Sequence, residues 1–150
     1  MAVAIAPNRV AAALQQTLVE LIDLSLQAKH FHWSVIGPRF RSVHLELDEI
    51  TDAVRLAYDE AAERLAALDV PPDGRLATIA GSTSLAAPGD GWQDDDSVLG
   101  AMCDRLTHVA SQIQARAVEI GETDLVSQDL LVGIAGMLQK HAWMLRVQAR

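Results

Sequence analysis

Residues 29–40 have the sequence KHFHWSVIGPRF, and this stretch decides the fold. Apolar residues recur at helical spacing before it, up to Ile36, and again after it, from Phe40. Gly37 and Pro38 stand between the two patterns, and such a pair ends a helix and allows a tight turn. The stretch therefore predicts two antiparallel helices joined by a short turn.

Both helices of this pair are long and each has one face for a core. The first is predicted over residues 9–36 and the second over residues 40–68, before the helix-breaking pair at residues 71–72. The predicted core residues are Leu14, Leu18, Leu21, Ser25, Ala28 and His32 in the first helix, and Val43, Leu47, Ile50, Val54, Ala57, Ala61, Leu65 and Leu68 in the second.

Two more helical patterns follow, over residues 95–120 and 124–148. A connection of roughly 25 residues, rich in Gly, Pro, Ser and Ala, precedes them and is too long for a tight turn. A short extra helix is predicted within it, over residues 75–80. Four helical patterns with no convincing strand-like alternation predict the all-α class. Two hairpins joined by one long crossover match the topology of ferritin-like four-helix bundles.

Length and composition limit the remaining options. A chain of 150 residues, half of them hydrophobic, predicts one domain over residues 1–150. Twelve basic against twenty acidic residues give a net charge of -8, which works against binding a polyanion. The single Cys103 and a start, residues 1–7, without the features of a signal peptide predict a cytoplasmic protein. No apolar run approaches the roughly 20 residues that span a membrane, so we expect a soluble protein.

Candidate ligand residues cluster in the first hairpin. His44, Asp48, Asp59 and Glu63 fall within an arc of about 100° on the second helix, centred roughly 145° from its apolar stripe. His32 and His44 are each six residues from Pro38, so the hairpin places them at the same height. We therefore expect His32, His44 and Asp48 to converge.

Asp59 and Glu63 form a separate pair, four residues apart on the helix surface. At about 1.5 Å per residue they lie ~16 Å and ~22 Å from Asp48, too far for one ion to bridge. Each chain thus holds two halves of a site, which an antiparallel two-fold partner would complete. Imidazole and carboxylate suit iron, zinc and manganese, and the ligand set alone does not select iron.

Each of these residues also has a structural alternative. His32 at the end of an apolar stripe is compatible with a hydrogen-bonded core histidine. A row of carboxylates is compatible with a solvated helix face, and that is the interpretation we adopt for the remaining acidic residues of the helix, Glu46, Glu49, Asp52 and Glu60. The joint register of the five candidate residues favours the metal site.

Three motifs resemble one family, the Dps miniferritins (DNA-binding proteins from starved cells). They are residues 29–40, the spacing of His44, Asp48, Asp59 and Glu63, and the sequence KHAWML at residues 140–145. The resemblance spans nearly the whole chain. It implies a hollow homododecamer that oxidises Fe(II), with hydrogen peroxide in preference to oxygen, and stores ferric mineral inside.

The resemblance also implies roles for individual residues. The ligands of one subunit would be His32, His44 and Asp48, and those of its two-fold mate Asp59 and Glu63. Trp33 would intercept oxidising equivalents, although an aromatic residue closing the helix end explains it equally well. Lys29 would pair with a carboxylate or face solvent.

Iron entry is a further implication of the resemblance, through acidic pores lined from the start of the last helix. Asp124 and Asp129 lie there and would attract cations. The alternatives are an N-cap for Asp124 and a first-turn charge for Asp129.

DNA binding departs from the pattern of the family. Only Lys29 and Lys140 are lysines, Arg9 is the one basic residue of positions 1–13, and the chain stops at Arg150 just past the last helix. Neutralising phosphates needs several cations, so we expect weak or absent DNA binding. A DNA-compacting, nucleoid-associated protein and a non-enzymatic helical interaction module are the alternative functions.

The other notable residues are predicted to be structural. His108 follows Asp104 by four positions and predicts a local surface pair. His141 and Trp143 are expected to pack the last helix, and Cys103 to be a small buried side chain.

Overall fold

The computed structural model describes residues 8–150, and the expectations about residues 1–7 lie outside it. Each predicted helix is present, and the all-α class is confirmed. The elements are α1 (Asn8–Ser34), β1 (Val35–Ile36), α2 (Phe40–Ala67), α3 (Leu76–Ser82), β2 (Gln93–Asp94), α4 (Asp95–Ile120) and α5 (Leu125–Gln148).

The four long helices form a bundle in which neighbours run antiparallel. Arg116 of α4 pairs with Glu20 of α1 at 2.7 Å, and Arg105, earlier in α4, donates to Gln27, later in α1. The long connection with α3 brings the chain from the end of α2 back to the end where α2 begins. This is the predicted crossover topology.

The predicted core stripes are buried. Every stripe residue of α1, including Ser25 and His32, has a relative exposure below 9%. In α2 the stripe is buried as far as Leu65, but Leu68 is only partly buried because the helix has already ended at Ala67. In α4 the apolar residues at helical spacing are also buried and complete the hydrophobic core: Val98, Met102, Leu106, Val109, Ile113 and Ala117.

The turn between α1 and α2 is clamped onto the start of α4. Gly37 has a φ of +128°, and a Cβ at this position would lie 2.8 Å from the carboxyl carbon of Asp95. The backbone N–H of Arg39 donates to the same carboxylate at 2.6 Å. Only glycine fits both this backbone conformation and this close approach.

One feature of this end was not predicted. The first helix ends at Ser34 rather than Ile36, because Val35 and Ile36 pair in parallel with Gln93 and Asp94. A two-residue bridge is too short to leave a periodic signal in the sequence. Within residues 8–150, no helix is both long and apolar enough to cross a membrane.

Candidate metal centre

His32 at the end of α1 and His44 in the first turns of α2 lie side by side. Their ring centroids are 3.6 Å apart and the ring planes differ by 14°. Phe40, one turn before His44, stacks on the other side of the pair at 4.9 Å. The predicted convergence of the two histidines is therefore what the fold produces.

The backbone determines which ring nitrogens of this pair are free. Nδ1 of His32 donates to the carbonyl oxygen of His44 at 2.7 Å, and Nδ1 of His44 donates to the carbonyl oxygen of His32 at the same distance. A carbonyl only accepts, so both Nδ1 atoms carry hydrogen. The lone pair of each neutral ring is then on Nε2, which forms no hydrogen bond within residues 8–150. A backbone carbonyl on the second nitrogen is the usual support for a ligating histidine.

Asp48 lies beside the histidine pair and is paired with Lys29. One oxygen of Asp48 is 3.6 Å from Nδ1 of His32 and accepts a hydrogen bond from the ammonium of Lys29. This hydrogen bond holds the pKa of Asp48 below its ordinary range. The ammonium also lies 5.9 Å from the centre of the Trp33 ring. Lys29 thus pairs with a carboxylate, which is one of the two expected alternatives. The negative charge of Asp48 is already balanced by this ammonium group.

Asp59 and Glu63 lie further along α2 and are exposed. Neither forms a hydrogen bond or an ion pair with any residue in the range 8–150. Arg64, the next residue after Glu63, turns the other way: its Nη2 contacts the carboxylate of Asp124 at 2.9 Å and its Nε donates to Ser127. By fixing α2 against the start of α5, Arg64 keeps Glu63 directed away from the bundle.

The single chain does not assemble a closed metal site from the five candidate residues. Across residues 8–150, the one group of three or more ligand-type residues whose ligand atoms converge is Asp94, Asp95 and Asp96. These three are engaged in structure: Asp94 caps α4 by accepting from the N–H of Ser97, and Arg39 binds the other two. The candidate residues therefore lie in two separate groups: His32, His44 and Asp48 where α1 meets α2, and Asp59 and Glu63 further along α2. The two histidines meet, but the ligand atoms of His32, His44 and Asp48 do not all converge as expected.

Trp33 is prominent at the surface next to the histidines, with a relative exposure of 67%. It shares an open pocket of about 260 Å³ with Trp92 from the long connection. An aromatic residue that only closes the helix end would be covered by the chain, and Trp33 is not.

The acidic residues at the start of α5 differ from each other. Asp124 is the N-cap of α5 and accepts from the N–H groups of Val126 and Ser127. Burial alone would raise the pKa of Asp124, but the hydrogen bonds from Ser127 and Arg64 outweigh it and lower the pKa. Asp129 is exposed. The N-cap alternative therefore describes Asp124, and Asp129 is the carboxylate left open to solvent.

Several structural expectations are corrected. Glu46 is not on a solvated face, because it is half-buried beneath Gln148, whereas Glu49, Asp52 and Glu60 are exposed as expected. Trp143 does not pack the last helix and is 53% exposed, although His141 is buried. Two side chains outside the site also differ from expectation. Cys103 is half-buried, with its thiol near the carbonyl of Ala142, and His108 contacts Ser84 rather than Asp104.

The sequence patterns do not predict the roles of two residues near the candidate metal centre. Phe40 stacks on His44, and its position four residues earlier on the same helix was the available signal. Arg64 sets the rotation of α2, but no local pattern pairs it with Asp124, which is 60 residues away in the chain.

Comparisons with known proteins agree with this architecture. The model of the ferritin-like domain family matches residues 11–150. A protein of Mycolicibacterium smegmatis named "DNA protection during starvation protein" is 37% identical over 145 residues, which are 91% of this chain and 75% of the relative. The chain belongs to the Dps family of ferritin-like proteins.

Two further matches show the range of this Dps family. The Dps92 structure from Deinococcus radiodurans superimposes with a TM-score of 0.91 at 29% identity, covering 93% of this chain and 84% of that one. The fine tangled pili major subunit of Haemophilus ducreyi is 36% identical over 91% of this chain and 72% of its own length. The fold is thus shared with a relative whose name describes an appendage, so activity has to be argued from the site.

Proposed function

We propose that this Dps-family chain is a ferroxidase and iron-storage protein whose sites are completed between two copies. The observation that supports it best is the pair of stacked histidines with both Nε2 lone pairs free. The carboxylate of Asp48 lies beside this pair, 3.6 Å from Nδ1 of His32. Two such nitrogens and a carboxylate are half of a ligand set for Fe(II), which is the substrate here.

The other half is supplied by Asp59 and Glu63 of a second chain. They are exposed, lie on the same face of α2, and have no partner among residues 8–150. A two-fold axis between antiparallel α2 helices would bring them onto the partner's histidines and make two equal sites, since a two-fold interface repeats every contact. A homododecameric shell built from such dimers is the assembly that family membership favours.

The chemistry asked of these residues is limited to binding and orientation. Each Fe(II) ion gives up one electron; one hydrogen peroxide accepts two electrons and two protons and becomes two waters, so two Fe(II) ions are consumed per peroxide. The carboxylates stabilise Fe(III) relative to Fe(II) because anionic oxygen ligands favour the higher charge. Trp33, exposed beside the site, is placed to donate an electron when only one Fe(II) ion is present. Oxygen is the alternative oxidant.

Protection of DNA would follow from withdrawal of iron rather than from contact with DNA. The net charge of -8 opposes binding to phosphates. For iron entry, Asp129 is the better candidate, because Asp124 already binds Arg64 and caps α5. Iron would thus enter the shell past Asp129, and its storage inside would protect DNA.

The proposal is tested by Fe(II) oxidation followed by absorbance, with peroxide and with air, on wild type, His32→Ala and Glu63→Ala. Both variants should oxidise Fe(II) at least about 100-fold more slowly. Replacing a residue that only orients a metal ligand already lowers metal affinity or activity by about 10–100-fold, and these variants remove ligands themselves. Glu119→Gln, which changes an exposed glutamate of α4, is the matched control and should behave as wild type. A wild-type rate no faster than buffer would exclude a ferroxidase and favour the interaction module.

A further inference from the structure

The side of α2 that faces α5 has its own acidic residues. At about 100° per residue, Glu46 and Glu49 fall outside the arc that contains His44, Asp48 and Glu63. They lie on the flank that continues into a groove between α2 and α5, with a volume of about 330 Å³ and lined by small and apolar side chains as well as Glu60 and Asp129. This flank is separate from the face described above.

Glu46 is incompletely satisfied in this position. One of its oxygens accepts a hydrogen bond from the side chain of Gln148, near the end of α5. The other oxygen is buried and has no hydrogen-bond partner among residues 8–150. The last carbonyls of α5 are close by, and that of Gln148 already accepts a hydrogen bond from the guanidinium of Arg39 at 2.9 Å. Buried polar atoms are almost always paired, so an unpaired one calls for an explanation.

His141 of α5 presents the second unpaired atom. The side chain is buried, with a relative exposure of 8%, and its Nδ1 has no hydrogen-bond partner within the described part of the chain. Two contacts fix the antiparallel register of α2 and α5: Arg64 with Asp124 at one end, and Glu46 with Gln148 at the other. This register places His141 level with Glu49.

Glu49 joins the two unpaired groups. It lies three residues after Glu46, about one turn further along α2, and at the level of His141 across the groove. Glu49 is exposed, so its side chain is free to change rotamer. The three ligand atoms do not converge in these rotamers, so ion binding requires side-chain rotation, and the exposed Glu49 is less constrained than the buried His141.

We propose that Glu46, Glu49 and His141 form a second site for a divalent transition-metal ion, between α2 and α5. One imidazole and two carboxylates are a ligand set that suits Zn²⁺, Mn²⁺ and Fe²⁺ and disfavours the all-oxygen ions Mg²⁺ and Ca²⁺. The site uses one chain only, so it needs no two-fold partner. Two polar atoms that are otherwise unpaired become ligands.

Zinc is the probe because it is not oxidised. Titration calorimetry on the assembled protein would compare wild type, Glu63→Gln, His141→Gln and the double variant Glu63→Gln/His141→Gln. Glu63→Gln should lose the ferroxidase-face zinc and keep the second site, and adding His141→Gln should remove one further zinc per chain. His108→Gln, which changes an exposed histidine of α4, is the matched control and should bind zinc as wild type does.

The oxidation rate separates this proposal from the ferroxidase proposal. His141→Gln should keep the initial Fe(II) oxidation rate of the wild type while binding less zinc. Equal zinc stoichiometry and affinity in Glu63→Gln and the double variant would overturn the second site, whatever the oxidation rates. If His141→Gln fails to fold, Glu49→Gln at the exposed position decides: a zinc affinity at least tenfold weaker supports the site, and an unchanged affinity overturns it.

Discussion

Two acidic regions of the molecule differ in whether their partners are in the same chain. Glu20 of α1 is 1% exposed and is bound by Arg116, by Ser84 and by Gln16. Asp59 and Glu63 of α2 are exposed and have no partner among residues 8–150. Both regions carry negative charge on a long helix, but only the first is satisfied by the fold.

The difference separates acidic residues that stabilise the chain from those that serve a ligand or a second copy. Burial alone would raise the pKa of Glu20, but the hydrogen bonds from Arg116 and Ser84 outweigh it and lower the pKa, so Glu20 is ionised and paired. Truncating a partner in such a buried pair leaves an uncompensated charge. Asp59 and Glu63 bear no such structural role, so their loss should affect activity without affecting stability.

The largest effect on stability is expected from disrupting the ion pair between Glu20 and Arg116. Glu20→Gln removes the counter-charge of the largely covered Arg116, whose side chain is 14% exposed, and should cost about 3 kcal/mol of unfolding free energy. The melting temperature should fall by about 10 °C, measured by circular dichroism. The apolar double variant Glu20→Leu/Arg116→Met should recover most of this loss, because it removes both charges. A melting temperature unchanged in Glu20→Gln would show that the pair does not stabilise the fold.

Substitution of the unpaired Glu63 is expected to lower activity and to leave stability unchanged. Glu63→Gln keeps the size of the side chain and removes its charge, and should slow Fe(II) oxidation at least about 100-fold. The melting temperature of metal-free protein should stay within about 1 °C of wild type, as for surface substitutions. A substantial loss of stability would assign Glu63 to the fold and weaken the comparison.

A smaller, pH-dependent effect is expected at the turn that positions the histidines. The backbone N–H of Arg39 binds Asp95 and, with the Arg39 guanidinium, lowers the pKa of that carboxyl. A lowered folded-state pKa means that Asp95 stabilises above its unfolded pKa of about 3.9 and loses this contribution as pH falls through the lower folded value. Asp95→Asn should therefore melt below wild type at pH 7, and the gap should narrow towards pH 2. A gap independent of pH would contradict this origin.

The smallest effect is expected from Lys29, which competes with a metal ion for Asp48. Lys29→Met removes the ammonium from a partly exposed pair, and such pairs are worth up to about 1 kcal/mol. Zinc should therefore bind about two- to fivefold more tightly, measured by calorimetry. Weaker binding in Lys29→Met would show that the lysine supports the site instead of competing with the metal.

The sequence was sufficient for the hairpin and for the meeting of the two histidines. Because His32 and His44 are equally distant from Pro38, they lie at the same height along the hairpin. Helical periodicity predicts the helix face on which each histidine lies. The stacking of His32 on His44 follows from these two facts. Local periodicity is reliable here because each helix is long and its stripe uninterrupted.

The remainder depended on contacts between distant parts of the chain. Gln148 covers Glu46 from 102 residues away, so a residue assigned to a solvated face is half-buried. The bridge between β1 and β2 is set by the path of the crossover rather than by strand propensity. Trp143 is predicted to pack the last helix, but it is 53% exposed.

The most direct test of the central claim is co-assembly of two inactive variants. His32→Ala and Glu63→Ala would be mixed in equal amounts, unfolded, refolded together, and assayed for Fe(II) oxidation with peroxide. If each site takes its histidines from one chain and Glu63 from a two-fold partner, random pairing restores about one quarter of the sites. Recovery of about one quarter of the wild-type rate is the result we predict, and a mixture no faster than the two variants alone would contradict a site shared between chains.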